Sequence, residues 1–600
     1  FQRYLYNELS PGERRLLHRE IADVLEELFA GSADQFAVQL AFHYQRGGVS
    51  DKALHYLTQA GHQARAKYAN EEAIRYYSEA LELLTDNHPD RFDLLASRAG
   101  IYNLIALREK HLADVSAMVD LAELMDDDTR RCDAQLALAD YHLETDHIEA
   151  KDPAQRAVEI SKTLGDRVRE GKAFRQLGLF HWYQGDYVEA RKHLGAALER
   201  FKEAGMLGEA AICLHILSLT LGSLGDFDGA LEAVLEAVAA SQEAGDRRQE
   251  ATSLRRLAIA HINQYQHPEA LPFAEQALAL HRELGDQHEE CNALNVIGII
   301  QVWLGQYQES YKSLWQSLKL ANAIGSSIGI GFAVSNLLLS HYVREGKFED
   351  MFAFLEPLIT KAMSEEDEWL IGFLVRFKGF GLFEIGLYES AIDEFRMSSE
   401  NMERVGSISG KLFSLSWMSR GLAALGAYES ASEILRQVEK GAKDAEDEEN
   451  LGNAYISQAY SILQKGDPKK FQGGLNLGKR SLEITPKDDY FQHDFCLEVV
   501  ASLCLELGML DEALKYSKET IEMAEINPSV YMPERRFFIH SKILRAQDQD
   551  QEADEYLRRA YERVMLVASN FSDEELRNSW FDNVRINREI LEASAERGVE

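Results

Sequence analysis

Residues 166–205 read DRVREGKAFRQLGLFHWYQGDYVEARKHLGAALERFKEAG and form one unit of a forty-residue repeat. Apolar side chains recur at steps of three and four residues on both sides of the central Gly185-Asp186 pair. They are Val168, Ala173, Phe174, Leu177 and Phe180 before it, and Tyr187, Ala190, Leu194, Ala197, Leu198 and Phe201 after it. This spacing predicts two amphipathic helices of roughly four turns each, separated by a glycine turn.

The turn residues have a recognisable chemistry. Gly165 and Gly185 can adopt the left-handed conformation that ends a helix without a side-chain penalty. Asp166 and Asp186 follow them, and we expect each to accept a hydrogen bond from a free amide of the next helix. Glycines also stand seven residues before the turn in three units, where we expect the paired helices to approach closely: Gly178, Gly298 and Gly379.

The same markers return along the chain. Glycines stand at 165, 205, 245, 285, 325 and 406, and related turn motifs begin at 185, 225, 305, 386 and 426. A small residue stands five positions after each of these motif starts, and a sixth occupies the same place in the unit between 225 and 305. These residues are Ala190, Ala230, Ala270, Ser310, Ala391 and Ala431. A strict period of this length predicts a solenoid in which each unit packs on its neighbours. We therefore expect an all-α, right-handed superhelical solenoid of helix pairs.

Composition excludes several classes of function. The net charge of −35, from 99 acidic and 64 basic residues, makes sequence-independent binding to nucleic acid unfavourable. No apolar run is long enough to span a membrane, and no secretory signal is visible. The five cysteines form no CxxC pair or even framework, which indicates buried thiols in a reducing, cytoplasmic setting.

Motifs for catalysis or metal binding are missing from the sequence. It contains no nucleotide-binding, zinc-protease or hydrolase fingerprint, so we predict a protein that is not an enzyme and needs no cofactor or metal. His281 with 288–290 could bind a metal, but a polar turn is the preferred interpretation. The acidic run 126–128 lacks the alternating spacing of a calcium loop, so we predict a helix-ending turn there. His18, His43 and His55 are predicted to be packing residues.

A glycine in the first helix, an aromatic residue after the turn and an alanine three residues later resemble the tetratricopeptide repeat. The resemblance covers about 130–445 and implies helices somewhat longer than usual, because the common unit has about 34 residues. Beyond it we predict an acidic loop at 442–450 and an irregular turn at 466–474. The pattern resumes with GMLDEA at 508–513.

Both ends resemble bacterial signal-transduction ATPases of the STAND type, which include LuxR-type and maltose-regulator-like, SARP-like and cyclase-fused regulators. The similar stretches are 5–28, which Ser10-Pro11 opens as a helix start, 40–48, 68–84 and 578–593. The resemblance implies a fragment from behind the ATPase. It predicts four parts: a linker helix at 1–32, divergent helix pairs at 33–128, the regular array at 129–445, and divergent repeats with a closing helix at 446–600.

Tetratricopeptide arrays bind ligands on a concave face formed by the first helix of each pair. The resemblance places the residue ten positions before each turn glycine in that groove. These residues are Arg175, His215, Arg255, Asn295, Asn336, Arg376 and Ser416, and Trp182, Tyr183, Trp303 and Arg344 lie nearer the turn. Arginine suits such a groove because its fork can hold a carboxylate at two points. The alternative is that these arginines pair with acids on adjacent helices.

The resulting functional prediction is a regulatory sensor and scaffold. A protein or peptide partner, or a small-molecule inducer, would bind in the groove and relieve autoinhibition of an attached ATPase, and self-association is allowed. The alternative is a free-standing scaffold or peptide receptor without an ATPase.

Overall fold

The computed structural model describes residues 6, 8–29, 31, 33–66, 69–105, 107–145, 147–445, 447–485, 490–526 and 532–599. Regular structure in these residues is helical, with no strand, which confirms the predicted all-α array of helix pairs. The chain forms two compact units, Phe1–Gln249 and Glu250–Glu600. None of the described helices is both long and apolar enough to cross a membrane.

The helices up to residue 323 follow one another with short turns. Their bounds are α1 Pro11–Leu28, α2 Ala37–Gly47, α3 Ser50–Ala66, α4 Asn70–Glu82, α5 Arg91–Leu104, α6 Arg108–Met125, α7 Asp128–Thr145, α8 Lys151–Leu164, α9 Arg167–Tyr183, α10 Tyr187–Glu203, α11 Leu207–Ser223, α12 Phe227–Glu243, α13 Arg247–Asn263, α14 His267–Leu284, α15 Gln287–Trp303 and α16 Tyr307–Ala323.

The remaining helices complete the second unit. Their bounds are α17 Ser327–Leu337, α18 Phe348–Ser364, α19 Glu368–Glu384, α20 Tyr388–Arg404, α21 Ile408–Ala424, α22 Tyr428–Asp444, α23 Glu448–Lys465, α24 Pro468–Ile484, α25 Tyr490–Glu506, α26 Leu510–Ile526, α27 Pro533–Ala546, α28 Asp550–Ser569, α29 Glu574–Asp582 and α30 Arg585–Arg597.

The turn at Gly185 shows how the repeat is punctuated. Gly185 has φ +73°, its amide donates to the carbonyl of Trp182, and the Asp186 amide donates to the carbonyl of His181 over 2.9 Å. This is a Schellman ending. The Asp186 carboxylate then accepts the amide of Glu189 at the start of α10, as predicted, and Asp166 caps α9 in the same way.

Close contacts between paired helices occur where the sequence predicts them. A Cβ added at Gly178 would lie 2.6 Å from Leu194, and one at Gly298 would lie 2.6 Å from Leu314. The small residue after each turn is buried, including Ala190 and Ala391, which have no exposed surface. These positions set the spacing of the two helices in a pair.

One first helix contains an inserted residue. Left-handed turns fall at Gly325 and Gly346, 21 positions apart, whereas Gly305 and Gly325 are 20 apart. The helix α17 continues through a π-helical turn, Leu338–Val343, before it ends. A π turn absorbs one extra residue in a helix, so the pairs on both sides keep their alignment.

Three local predictions are wrong, and one helix start is confirmed. Residues 442–444 end α22 and 448–450 begin α23, so most of the predicted loop is helical, and 466–474 contain a regular turn and the start of α24. Acidic and glycine-rich composition suggested loops there, but the twenty-residue spacing continues through both. His55 is exposed rather than packed. Ser10 caps α1 with a reciprocal bond to Glu13, as expected.

The last three helices pack on helices about 200 positions earlier. The Asn570 side chain donates to the carbonyl of Glu345 over 2.8 Å, and the Ser579 hydroxyl donates to the carbonyl of Ile385 over 2.7 Å. Trp580, which has no exposed surface, lies in the same core as Phe348. Within Glu250–Glu600 the C-terminal helices therefore cover the ends of α17 and α19.

Candidate functional site

The predicted groove residues lie on first helices that pack side by side. In the second unit α15 contacts α17, α17 contacts α19, and α19 contacts α21. The residue ten before each turn thus occupies an equivalent place on successive first helices. We call this set of positions the ladder.

In Phe1–Gln249 the ladder residues have partners within the chain. Arg175 forms an ion pair with Glu209 at 2.5 Å, and the His215 Nδ1 lies 3.2 Å from the side-chain Nε2 of Gln249. Trp182 and Tyr183 are in edge contact, with ring centroids 5.3 Å apart. The arginine of this unit therefore follows the alternative that the sequence left open, an ion pair with an acid on a neighbouring helix.

The first ladder residues of Glu250–Glu600 are paired as well. Arg255 contacts Glu289 at 3.0 Å. The Asn336 amide donates to the side-chain oxygen of Asn295 over 3.2 Å.

The residues nearer the turn in this unit also contact the chain itself. Trp303 packs on His267 with centroids 4.7 Å apart. Arg344 donates to the carbonyl of Ser340 and lies over the Tyr307 ring at 3.8 Å.

A second column of residues explains the pairing. Glu209, Gln249 and Glu289 each stand 34 positions after the ladder residue that they contact, at the third residue of the next first helix. The position 34 after Arg376 is Gly410. Glycine has no side chain, so the partner that the other basic ladder residues contact is missing here.

Aromatic rings surround Arg376 instead of a carboxylate partner. Its guanidinium lies 4.8 Å from the Phe373 ring, 4.9 Å from the Phe413 ring and 5.9 Å from the Phe377 ring. Among the described residues it has no ion pair or hydrogen bond. Burial lowers its pKa to about 10, partly opposed by the Glu449 charge, so the side chain is still cationic at neutral pH.

A cavity of about 470 Å³ opens beside this guanidinium. That volume lies within the roughly 300–1,000 Å³ of ordinary ligand pockets. Helices α17, α19, α20, α21 and α23 supply the lining, which is mostly aromatic: Leu339, Trp369, Phe373, Arg376, Phe377, Phe380, Phe395, Met402, Ser407, Ser409, Gly410, Phe413, Trp417 and Glu449.

The walls of the cavity are firmly packed. Trp369 stacks on Phe373 with centroids 5.1 Å apart, and Gly331 leaves room for both rings, since a Cβ there would lie 3.1 Å from Trp369. Trp417 is buried and meets Phe380 edge to face at 5.1 Å. The Arg376 side chain is therefore held against rings whose own positions are fixed.

The two polar clusters singled out in the sequence form a helix end and an ion pair within the chain. Asp126 ends α6 in a left-handed conformation, and Asp127 accepts the amides of Thr129 and Arg130, which is the predicted helix-ending turn. Glu290 pairs with Arg282. Within the described part of the chain, no three His, Cys, Asp or Glu residues are grouped to hold a metal ion.

The sequence prediction named Arg376 but missed the residues around it. Trp369, Phe373 and Phe377 are spaced four apart on the same helical face as the arginine, and this pattern was visible in the sequence. The decisive signal was the glycine 34 positions later. It becomes informative only after the structure shows that this position supplies the partner of a ladder residue.

Comparison with known proteins recognises the repeat. Residues 170–243 and 251–290 match two profiles described as tetratricopeptide repeat. Among curated proteins there is no significant match.

Similar solved structures include yeast Tom70, at 15% identity, 89% coverage of this chain and 99% of that chain, with TM-score 0.36. Aspartyl phosphate phosphatase F from Bacillus subtilis matches at 13% identity, 58% and 94% coverage, and TM-score 0.37. BtubC from P. vanneervenii matches at 19% identity, 36% and 92% coverage, and TM-score 0.34. The two profile matches show that the chain contains tetratricopeptide repeats, and an array of this kind is a scaffold suited to binding protein partners.

Proposed function

We propose that this chain is the partner-binding regulatory arm of a bacterial signal-transduction ATPase or transcriptional regulator. A protein, a peptide or a small inducer binds on the first-helix face of the second unit, at the cavity beside Arg376. Binding shifts the attached effector between closed and open forms, which requires the partner to have different affinities for the two. The four-part division at residues 32, 128 and 445 belongs to this proposal.

The observation that carries the binding site is the difference between Arg376 and the other ladder arginines. Arg175 and Arg255 are neutralised by Glu209 and Glu289. Arg376 lacks that carboxylate and borders a ligand-sized cavity instead. Arg376 is half-buried, and the carboxylate that borders the cavity, the exposed Glu449, forms no ion pair with it. Removing a cation from water without a paired anion is unfavourable, so the site has an unmet preference for an anionic partner.

The partner can be tested by comparing two arginines at the same ladder position. Wild-type chain, Arg376→Ala and Arg255→Ala would each be used as bait in the native host, and bound proteins quantified by mass spectrometry. We expect a partner retained by wild type and Arg255→Ala and lost from Arg376→Ala. Partners that bind all three baits equally would contradict a site at Arg376.

The ATPase context rests on the resemblance of the chain ends and has its own test. The coding frame upstream of Phe1 should contain a nucleotide-binding P-loop. A start codon immediately upstream would instead support the alternative, a free-standing scaffold or peptide receptor.

A further inference from the structure

The cavity beside Arg376 has a chemistry that narrows its ligand. The lining combines one cation, Arg376, and one carboxylate, Glu449, with seven aromatic rings: Trp369, Phe373, Phe377, Phe380, Phe395, Phe413 and Trp417. We propose that the site accepts a single carboxylate carried on an aromatic or similarly flat apolar body. This inference rests on the proposed function for its location and adds the class of ligand.

The carboxylate follows from the unused donors of Arg376. In the paired units the same ladder position contacts a carboxylate of the chain, at Glu209 and Glu289. An incoming carboxylate at the place of the absent Gly410 side chain would make the equivalent charge-assisted contact, and the fork of the guanidinium allows it to be bidentate. The ligand thus supplies intermolecularly the group that the neighbouring repeats supply from their own helices.

The ligand charge is limited by the lining. A monoanion can pair with the single guanidinium, whereas a phosphate dianion would add a second negative charge near Glu449 in a mainly apolar cavity, which is costly. A cationic ligand is also disfavoured. The faces of Phe373 and Phe413 are already occupied by the guanidinium, and a second cation would be repelled by it.

The rest of the ligand is expected to be flat and apolar. Trp369 and Phe373 are stacked nearly parallel, at an interplanar angle of 19°, and border the same space as Phe413. Rings on several sides favour stacked or edge contacts with another ring. An aliphatic acid would fill the cavity without this complementarity.

Glu449 provides an internal test of the charge preference. This exposed residue borders the cavity, and its charge favours the protonated form of Arg376. Its carboxylate should repel an anionic ligand and attract a cationic one. Glu449→Gln should therefore tighten carboxylate binding several-fold, and a cationic ligand would show the opposite response.

The direct experiment uses purified chain and a matched pair of probes, 2-naphthylacetate and 2-naphthylacetamide, which differ in charge but hardly in shape. Calorimetric titration should show the acid binding at least tenfold more tightly than the amide. Arg376→Met should remove that preference, and Arg255→Met, at a paired ladder position, should retain it. Equal binding of acid and amide to wild type, or an unchanged preference in Arg376→Met, would overturn the inference.

Two further variants keep the test valid if Arg376→Met fails to fold. Arg376→Lys retains the charge without the fork, so it should bind the acid more weakly than wild type while still preferring it to the amide. Weaker acid binding by Glu449→Gln would also overturn the inference. Circular dichroism and thermal unfolding of each variant would establish that it is folded.

A second pair of probes distinguishes a protein C-terminus from a free small acid as the source of the carboxylate. A short peptide ending in Phe with a free C-terminal carboxylate would be compared with its C-terminal amide. Preference for the free peptide indicates a protein terminus as ligand, whereas binding of 2-naphthylacetate alone indicates a free small acid. If the acid probe binds but no partner depends on Arg376, the proposed function fails and this inference stands. If a partner depends on Arg376 but the chain binds the acid and amide probes equally, the proposed function stands and this inference fails.

Discussion

Trp580→Ala tests the packing of the C-terminal helices on the middle of the second unit. The Trp580 side chain has no exposed surface, and its indole N–H donates to the carbonyl of Val564 over 3.0 Å. An aromatic side chain of this kind buries about 150–250 Å², which at about 25 cal/mol per Å² corresponds to about 4–6 kcal/mol. Loss of the hydrogen bond adds about 1 kcal/mol, and truncation of Trp to Ala in cores typically costs about 3–5 kcal/mol. We expect a loss of about 5 kcal/mol in the unfolding free energy of the second unit.

The location of the damage is as informative as its size. Hydrogen exchange should show protection falling together in α28–α30 and in the segment 338–386, which those helices contact. Protection in 8–243 should be unchanged, because repeats couple mainly to their neighbours. Trp580→Phe is the matched control and should cost about 1–2 kcal/mol, because it keeps most of the apolar volume and loses the N–H donor. A loss of protection confined to 550–599 would refute the packing described here.

Two further predictions concern packing and pH. Ala391→Leu should cost about 1–3 kcal/mol, because Ala391 has no exposed surface and a larger side chain overpacks the pair; chemical denaturation would measure it, and an unchanged midpoint would contradict the close contact. Burial holds the pKa of His341 at about 4, so the folded state takes up this proton later than the unfolded chain as pH falls. Stability should therefore decline between pH 6.5 and 4, and His341→Gln should make that decline shallower; an identical pH profile would contradict the assignment.

Much of the repeat was predictable because it depends on local chemistry. The glycine and Asp of the turn at Gly185, the amphipathic spacing in α9 and α10, and the missing side chain at Gly178 each act within one helix pair. Their physical roles can therefore be deduced from a single unit of sequence. The period then extends the same arguments to every unit in which the markers recur.

The errors arose where composition and period disagreed. The acidic stretch 442–450 and the glycine-rich 466–474 resemble loops, yet helices form there because the neighbouring pairs hold them in register. The π turn at Leu338–Val343 accommodates one extra residue. In the sequence this residue is visible only as a change in the spacing of turn glycines from 20 to 21 positions. Composition indicates the conformation that a segment prefers by itself, and packing against neighbouring helices can override that preference.

The long-range features were beyond a single sequence. Nothing in the local pattern of 550–599 indicates that Asn570 and Ser579 bond to carbonyls about 200 positions earlier. The candidate site has the same character, because the residue 34 positions later, Glu289 or Gly410, decides whether a ladder arginine has an ion-pair partner. The ladder positions could be predicted from the sequence. Only the ion pairs in the structure show which ladder arginine lacks such a partner in the described chain.

A crystal structure of the chain soaked with 2-naphthylacetate would show directly whether Arg376 binds a carboxylate. We expect the ligand in the cavity beside Arg376, with both carboxylate oxygens about 2.7–2.9 Å from guanidinium nitrogens and the rings against Trp369 and Phe413. An empty cavity at saturating ligand, or a bound ligand whose carboxylate points away from Arg376, would contradict this expectation.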